Sequence, residues 1–124
     1  FKNISKILEK EKNVIFAYLF GSQIKGYANE KSDWDIAIYF VQNLKDKSLW
    51  YPFELEAKLA YLLKKEVQVV ILNDITKPTF LFHIINEGIL LVDKEKKLRL
   101  EFEMKVMRDY YDWKFFVNRY LISG

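Results

Sequence analysis

The sequence predicts a single α/β (α+β) domain over residues 1–124: a small mixed β-sheet flanked by helices, with a long C-terminal helix. Short apolar runs rich in β-branched and aromatic residues alternate with longer segments of helical periodicity. No repeat, low-complexity tract or linker divides the 124 residues, and the hydrophobic share of 51% is enough for one core. We expect the helices to pack mainly on one side of the sheet.

The first third of the chain predicts one helix and two strands. Residues 2–12 place three apolar side chains on one helical face. Residues 14–20 are apolar throughout and end at Gly21, which is typical of a buried strand. A polar loop follows, and the second strand is predicted over residues 35–41.

The middle of the chain repeats this alternation of helix and strand. Leucines and phenylalanine interspersed with Glu and Lys predict a helix over 48–65, and a β-branched run predicts a strand over 67–72. Pro78 occupies a preferred first-turn position of the next helix, which Gly88 is expected to end.

The last third predicts a short strand followed by the longest helix. Residues 89–92 are apolar and form the fourth predicted strand. Asp93 is a residue type that favours helix N-caps, so the final helix is predicted from about residue 94 to residue 120.

A glycine-serine turn and two aspartates lie between the first two predicted strands. Asp33 and Asp35 are separated by one residue, so in a strand their carboxylates point to the same side. Paired carboxylates suit Mg²⁺, which otherwise keeps waters or substrate phosphates as ligands. The turn at Gly21 and Ser22 offers backbone N–H groups and a hydroxyl to a phosphate. Together these residues indicate a nucleoside triphosphate site.

Several other functions are excluded or disfavoured by composition. The chain has no cysteine and a single histidine, His83, so disulfides, Cys-ligated zinc and all-His metal sites are excluded. No Gly-Lys-Ser/Thr occurs, which excludes a Walker loop. The net charge of +3 is mild, and no direct nucleic-acid binding is expected. No apolar run approaches the ~20 residues of a membrane span and no signal-peptide pattern is present, so we expect a cytoplasmic protein.

The motif resembles that of the minimal nucleotidyltransferases (the MNT group) in the DNA polymerase β superfamily. Their pattern of Gly-Ser, a spaced glycine and Ser-Asp-x-Asp is met here by Gly21, Ser22, Gly26, Ser32, Asp33 and Asp35. Residues 80–91 are similar to the family's later helix-to-strand segment. Residues 108–112 resemble the aromatic, charged end of MNT proteins paired with HEPN toxins.

The resemblance implies a nucleotidyltransferase fold and a specific activity. According to the resemblance, Gly21, Ser22 and Lys25 would bind the triphosphate of ATP. Asp33 and Asp35 would bind Mg²⁺. A solvated loop lysine is an equally good interpretation of Lys25. The implied reaction transfers AMP from Mg-ATP to a tyrosine of a HEPN ribonuclease toxin, which makes the chain an antitoxin.

The third aspartate usual in the superfamily is absent from its expected position. Gln68 stands there, and glutamine offers a neutral carbonyl oxygen but no carboxylate base. Glu66 lies two residues before Gln68, on the same side of the predicted strand, and could in part replace it. A solvated charge at the strand end is the favoured interpretation of Glu66. Asp74 is on the same side but too distant. An alternative function follows from Gln68: neutralisation of the toxin by complex formation alone. A small-molecule nucleotidyltransferase is disfavoured because no substrate domain is present.

The last predicted helix carries two apolar stripes, whereas one is enough to pack a helix on a sheet. The second stripe is rich in Met and aromatic residues, the composition of protein interfaces, and includes Met104, Met107, Tyr111 and Phe115. It is predicted either to bind the partner or to be covered by the helix of residues 2–12.

Three further residues near these segments favour structural roles. Strand alternation turns Trp34 away from the two aspartates and towards the core. His83 is predicted to be packed or partner-facing rather than catalytic. Tyr27 is interpreted as an exposed loop residue, with stacking on a nucleobase as the alternative.

Overall fold

A computed structural model describes residues 2–21, 34–42 and 50–122. The helices and strands follow the order α1 (Lys2–Glu9), β1 (Val14–Phe20), β2 (Trp34–Phe40), α2 (Tyr51–Leu63), β3 (Val67–Ile71), α3 (Pro78–Glu87), β4 (Ile89–Asp93) and α4 (Lys96–Phe116). A short 3₁₀ turn (Leu72–Asp74) follows β3, and a π-helical segment (Val117–Ile122) extends α4. Within these ranges no helix is both long and apolar enough to cross a membrane.

The four strands form one mixed sheet in the order β3-β2-β1-β4. β1 is antiparallel to both β2 and β4, and β2 is parallel to β3. The parallel pair requires a crossover connection, in which α2 lies. In the described sheet β3 and β4 form the two edges. The predicted small mixed sheet flanked by helices, with a long helix near the C-terminus, is confirmed.

Helices cover both faces of the sheet, so the expectation that they pack mainly on one side is wrong. α1 and α2 pack on the face that includes Leu19, Ile36 and Ile38. α3 and α4 pack on the opposite face, against Phe16 and other residues of β1. The physical reason lies in β1, whose seven residues are all buried because each successive side chain meets a helix-covered face.

The boundaries of α2 and α3 follow from local backbone chemistry. Lys64 has a left-handed conformation with φ of 54°, which ends α2 earlier than the predicted residue 65. α3 begins at Pro78 as predicted. At its end the Gly88 N–H donates to the carbonyl of Ile84 at 2.7 Å, so the predicted stop is confirmed.

Asp93 does not cap α4, and this prediction is wrong. It is the last residue of β4, paired in register with Phe16, while Glu95 takes the N-cap position without a side-chain hydrogen bond. The Asp93 carboxylate instead accepts a hydrogen bond from Nε of Arg99 at 2.9 Å. Strand pairing therefore extended β4 by one residue beyond its apolar run.

A polar network joins β1 to α4 on the face of the sheet that α3 and α4 cover. The hydroxyl of Tyr18, a side chain that is only 2% exposed, donates a hydrogen bond to Glu103. Arg99 connects Glu103, at 3.0 Å, with Asp93. Burial raises the pKa of the Tyr18 hydroxyl far above its ordinary value of 10.0, and the hydrogen bond and charge of Glu103 raise it further.

Tyr18 makes the stability of the protein sensitive to alkaline pH. The folded chain holds the phenolic proton where the unfolded chain releases it, so this contribution is complete below pH ~10 and is lost as pH rises towards the folded-state pKa. Tyr51, whose pKa burial raises to about 12, acts in the same direction. We expect the free energy of unfolding to fall above pH ~10, by at most about 1.4 kcal/mol per pH unit for each group.

Urea unfolding at pH 8, 10 and 11 measures this dependence. Tyr18→Phe should cost about 1–2 kcal/mol at pH 8, because Glu103 loses a donor, and should flatten the alkaline decline. Tyr61→Phe is the matched control, since Tyr61 is 82% exposed and its loss should change neither value. An alkaline decline unchanged by Tyr18→Phe would contradict the assignment.

Candidate functional site

Asp35 lies at the centre of a row of three side chains across the sheet. In register it faces Phe20 at the end of β1 and Gln68 at the start of β3. Asp35 lies two residues before Ala37, and Gln68 lies two residues before Val70; Ala37 and Val70 both face α3 and α4. Successive strand residues point to opposite faces, so Phe20, Asp35 and Gln68 share the α3 and α4 side. The sheet therefore presents a carboxylate and an amide side by side at this end.

The turn after β1 is shaped by the close approach of Asp35. Gly21 has a φ of +88°, a backbone conformation that residues other than glycine rarely adopt. A methyl group at Gly21 would overlap the Oδ2 atom of Asp35 and lie 3.3 Å from its Cγ atom. Glycine is required for both reasons. The structure thus brings the Gly21 backbone and the Asp35 carboxylate together, as the sequence predicts.

The other predicted site residues, Ser22, Lys25 and Asp33, lie outside the described residues, as do Gly26 and Tyr27. In the part of the chain that the structure describes, no three His, Asp or Glu side chains cluster to hold a metal ion. Asp35 nonetheless provides the hard oxygen donors that Mg²⁺ prefers, and it lies against a backbone turn with room only for glycine. The chemistry of this carboxylate is therefore that of a magnesium ligand.

The start of β3 is held beside Asp35 by the backbone. The N–H of Trp34 donates to the carbonyl of Glu66 at 2.9 Å, and Trp34 pairs with Val67 in the parallel register. Gln68 is exposed at this position. The backbone at position 68 is therefore held by its pairing with β2, and Gln68 stands where the resemblance places the third carboxylate.

An aromatic pair borders the row on the side of α3. The ring of Phe80 in α3 meets the ring of Phe20 edge-on, with 5.8 Å between their centroids. Phe80 comes 45 residues after Asp35 in the chain. The sequence does not predict this aromatic pair, because no local pattern indicates which helix covers the end of β1. The only sequence signal for this contact was the apolar side chain that Phe20 places on this face of β1.

Trp34 occupies the structural position expected of it, while a packed or partner-facing role for His83 stays a prediction. Trp34 packs against the core on the α1 and α2 side, facing away from Asp35. His83 is 39% exposed on α3, and its Nδ1 atom lies 3.0 Å from Oε2 of Glu87 one turn later. Neither side chain adds a catalytic group to the row.

The two apolar stripes of α4 have different environments. In the first, Leu98 and Phe102 pack on the sheet, Val106 is buried, and Tyr110 stacks on Phe82 with ring centroids 3.9 Å apart. The second stripe is exposed. The exposed fractions are 66% for Met104, 41% for Met107, 55% for Tyr111 and 62% for Phe115. α1 packs on the opposite face of the sheet, so the prediction that it covers this stripe is wrong.

Comparisons with known proteins agree with this architecture. A family profile described as "Polymerase beta, Nucleotidyltransferase" matches residues 2–97. No curated protein sequence is significantly similar to the chain.

Several solved structures share the fold. A toxin–antitoxin crystal structure with AMP-PNP is 24% identical with a TM-score of 0.73, covering 95% of this chain and 91% of that one. The toxin–antitoxin MntA-HepT is 22% identical with a TM-score of 0.69, covering 95% and 91%. A tri-AMPylated Shewanella oneidensis HEPN toxin in complex with MNT antitoxin is 23% identical with a TM-score of 0.69, covering 95% and 90%.

The family match runs from α1 through all four strands into the first residues of α4, and it includes Gly21, Asp35 and Gln68. Similarity to the solved structures extends the agreement in fold to nearly the whole chain. The chain therefore belongs to the polymerase β nucleotidyltransferase family.

Proposed function

We propose that this chain is an MNT-type nucleotidyltransferase antitoxin, which transfers AMP from Mg-ATP to a tyrosine of a HEPN ribonuclease toxin and so neutralises it. The observation that carries the proposal is the Asp35 carboxylate, held against the Gly21 turn at one end of the sheet. A turn of this kind can offer backbone N–H groups to phosphates, while an adjacent carboxylate suits the accompanying cation. We place the proposed reaction in the cytoplasm.

Each site residue has a distinct role in the proposed reaction. Asp33 and Asp35 would hold Mg²⁺, which supplies charge neutralisation at the phosphate oxygens when bound. Gly21 and Ser22 would orient the triphosphate, and Lys25 would add positive charge beside it. Orientation of the α-phosphate relative to the acceptor hydroxyl is the main contribution of such residues to rate.

The exposed stripe of α4 provides the proposed toxin-binding surface. Met104, Met107, Tyr111 and Phe115 present Met and aromatic side chains that are between 41% and 66% exposed. The three solved structures described above come from toxin–antitoxin complexes, one of them with AMP-PNP and one with a tri-AMPylated HEPN toxin. Those complexes motivate the choice of partner here.

Intact-mass measurement of the partner tests the proposal. The chain is incubated with the HEPN protein encoded beside it, ATP and Mg²⁺. We expect the mass of the partner to rise in AMP increments, and Asp33→Ala or Asp35→Ala to abolish the rise by removing a metal-binding carboxylate. Glu9→Ala, which removes an exposed carboxylate on α1, is the control and should transfer AMP normally.

The second candidate function is neutralisation by complex formation alone, and Gln68 is the observation that favours it. Without a carboxylate at position 68 the site has lost one acidic group usual in the superfamily. A stable complex that inhibits the toxin, with no change of partner mass under any condition, would establish this function in place of AMP transfer.

A further inference from the structure

We propose that α2 is a self-association surface, on which a second copy of this chain docks with its own α2 antiparallel to the first. The surface, here named the α2 stripe, consists of Trp50, Phe53, Ala57 and Tyr61. It lies on the side of the molecule opposite to the exposed stripe of α4, because α2 and α4 cover opposite faces of the sheet. Self-association through α2 is independent of the proposed function.

α2 is apolar on two sides. Its three buried residues belong to the core on the α1 and α2 side of the sheet. All four residues of the α2 stripe are exposed instead, with exposed fractions of 67% for Trp50 and 58% for Phe53, whose ring centroids lie 5.7 Å apart. Spacings of three or four residues place the stripe along one line of the helix. One apolar side is enough to pack a helix on its sheet, so an exposed aromatic second side indicates an interface.

α1 packs on a different side of α2. The Nζ atom of Lys58 lies 3.2 Å from Oε1 of Glu11, which follows α1. Lys58 and Leu62 border a cleft that Lys6 and Ile7 of α1 also line. Each of these two α2 residues follows a residue of the α2 stripe by one position, which turns it about 100° around the helix axis. α1 therefore lies beside the α2 stripe and not over it.

The α2 stripe is nearly symmetrical about Ala57, which favours a second copy as its occupant. Phe53 lies four residues before this alanine and Tyr61 four residues after it. When two α2 helices cross antiparallel at Ala57, the Phe53 ring of each copy meets the Tyr61 ring of the other. The small central side chain allows the short end of the 8–10 Å range that packed helix axes roughly adopt. A two-fold interface requires such self-complementarity, whereas the surface for a different protein does not.

The charges of α2 favour the antiparallel direction. Its first half carries Glu54 and Glu56, while Lys64 and Lys65 follow its last residue. Antiparallel pairing brings the acidic half of each helix near the basic end of the other, and parallel pairing would oppose like charges. It also brings Lys64 of one copy towards the Trp50 ring of the other, because both lie seven residues from Ala57.

Disulfide cross-linking tests the contact, since the chain has no cysteine of its own. Two copies that meet at Ala57 place its two Cα atoms within the roughly 4.4–6.8 Å that a disulfide spans. We therefore expect Ala57→Cys to form a covalent dimer when a mild oxidant is added. Glu101→Cys, at an exposed position on α4, is the matched control and should cross-link at least ~tenfold more slowly. Equal rates for the two variants would overturn the inference.

Two further cysteine variants test the direction. In the antiparallel pair, position 53 of one copy lies ~12 Å along the helix from position 53 of the other, too far for a disulfide. Phe53→Cys should therefore cross-link poorly with itself and readily with Tyr61→Cys in an equal mixture, as resolved by intact mass. Faster cross-linking of Phe53→Cys with itself would mean parallel pairing and would contradict the proposed interface.

Sedimentation velocity of the wild-type chain tests association without a cross-link. The helix has 13 residues, so the interface is small and the dimer should be weak, forming as concentration rises from ~10 μM to ~1 mM. Ala57→Glu should raise the dissociation constant at least tenfold, roughly the loss of a central contact, and Glu101→Ala should leave it unchanged. Circular dichroism checks that Ala57→Glu stays helical, as expected for a good helix former at an exposed position.

Two results would overturn self-association. One is a wild-type chain that stays monomeric at every concentration. The other is an Ala57→Glu variant that associates normally; if it also weakens the complex with the HEPN partner, the α2 stripe belongs to that partner. Neither result bears on AMP transfer, which is measured separately on the mass of the partner.

Discussion

Replacing Phe16 by alanine is expected to lower the free energy of unfolding by about 3–5 kcal/mol. Phe16 is fully buried on the α3 and α4 side of β1. Its ring stacks on Tyr39 at 4.7 Å and meets Phe102 of α4 at 5.4 Å and Tyr18 at 5.9 Å. The substitution leaves a cavity between the sheet and α4. Urea unfolding followed by circular dichroism measures the loss.

Phe115→Ala is the matched control for that experiment, since it removes the same ring from an exposed position. Phe115 is 62% exposed on α4, so its truncation should change the free energy of unfolding by less than about 0.5 kcal/mol. In the proposed function it contacts the toxin, and the complex should weaken at least tenfold, as measured by calorimetry. Unchanged affinity after Phe115→Ala would contradict the assignment of this stripe to the interface.

Gly21→Ala should abolish AMP transfer and cost about 1–3 kcal/mol of stability. The positive φ at Gly21 is strained for alanine, and the new methyl group would displace the Asp35 carboxylate from its position against the turn. The loss of AMP transfer should be larger than the destabilisation alone would cause, because it results from displacement of the Asp35 carboxylate. Transfer to the partner and urea unfolding are measured on the same preparation.

A double-mutant cycle separates the two causes. In an Asp35→Ala background the carboxylate is gone, so Gly21→Ala should cost only the backbone strain and the two changes should couple by about 0.5–3 kcal/mol. An equal cost of Gly21→Ala in both backgrounds would mean that the carboxylate does not occupy the space beside the turn.

Much of the fold follows from local patterns in the sequence. The β-branched and aromatic runs of β1 and β3 and the Pro78 and Gly88 signals of α3 depend on neighbouring residues alone. The distribution of helices over two faces was also encoded in β1, whose uninterrupted apolar run is typical of a strand covered on both sides. Helices mainly on one side would instead require a strand whose apolar and polar residues alternate, and β1 has no such alternation.

The candidate site divides in the same way. The side of β2 on which Asp35 lies follows from strand periodicity, whereas its approach to Gly21 and its register with Gln68 depend on how β2 pairs with β1 and β3. The contact of Phe80 with Phe20 depends on how α3 packs on β1, which no local pattern specifies. Asp93 failed as a helix cap for a related reason: its pairing with Phe16 on β1 outweighed its local preference.

The position of β3 at the edge of the described sheet has a consequence for association between chains. Its five residues, Val-Gln-Val-Val-Ile, contain no charge and no proline. Uncharged β-branched edges offer unpaired backbone groups to strands of other molecules, and a charged residue at such an edge is a common defence against aggregation. With glutamine at position 68, β3 carries no charged side chain at this edge of the described sheet. A charged residue there should oppose pairing of β3 with strands of other molecules.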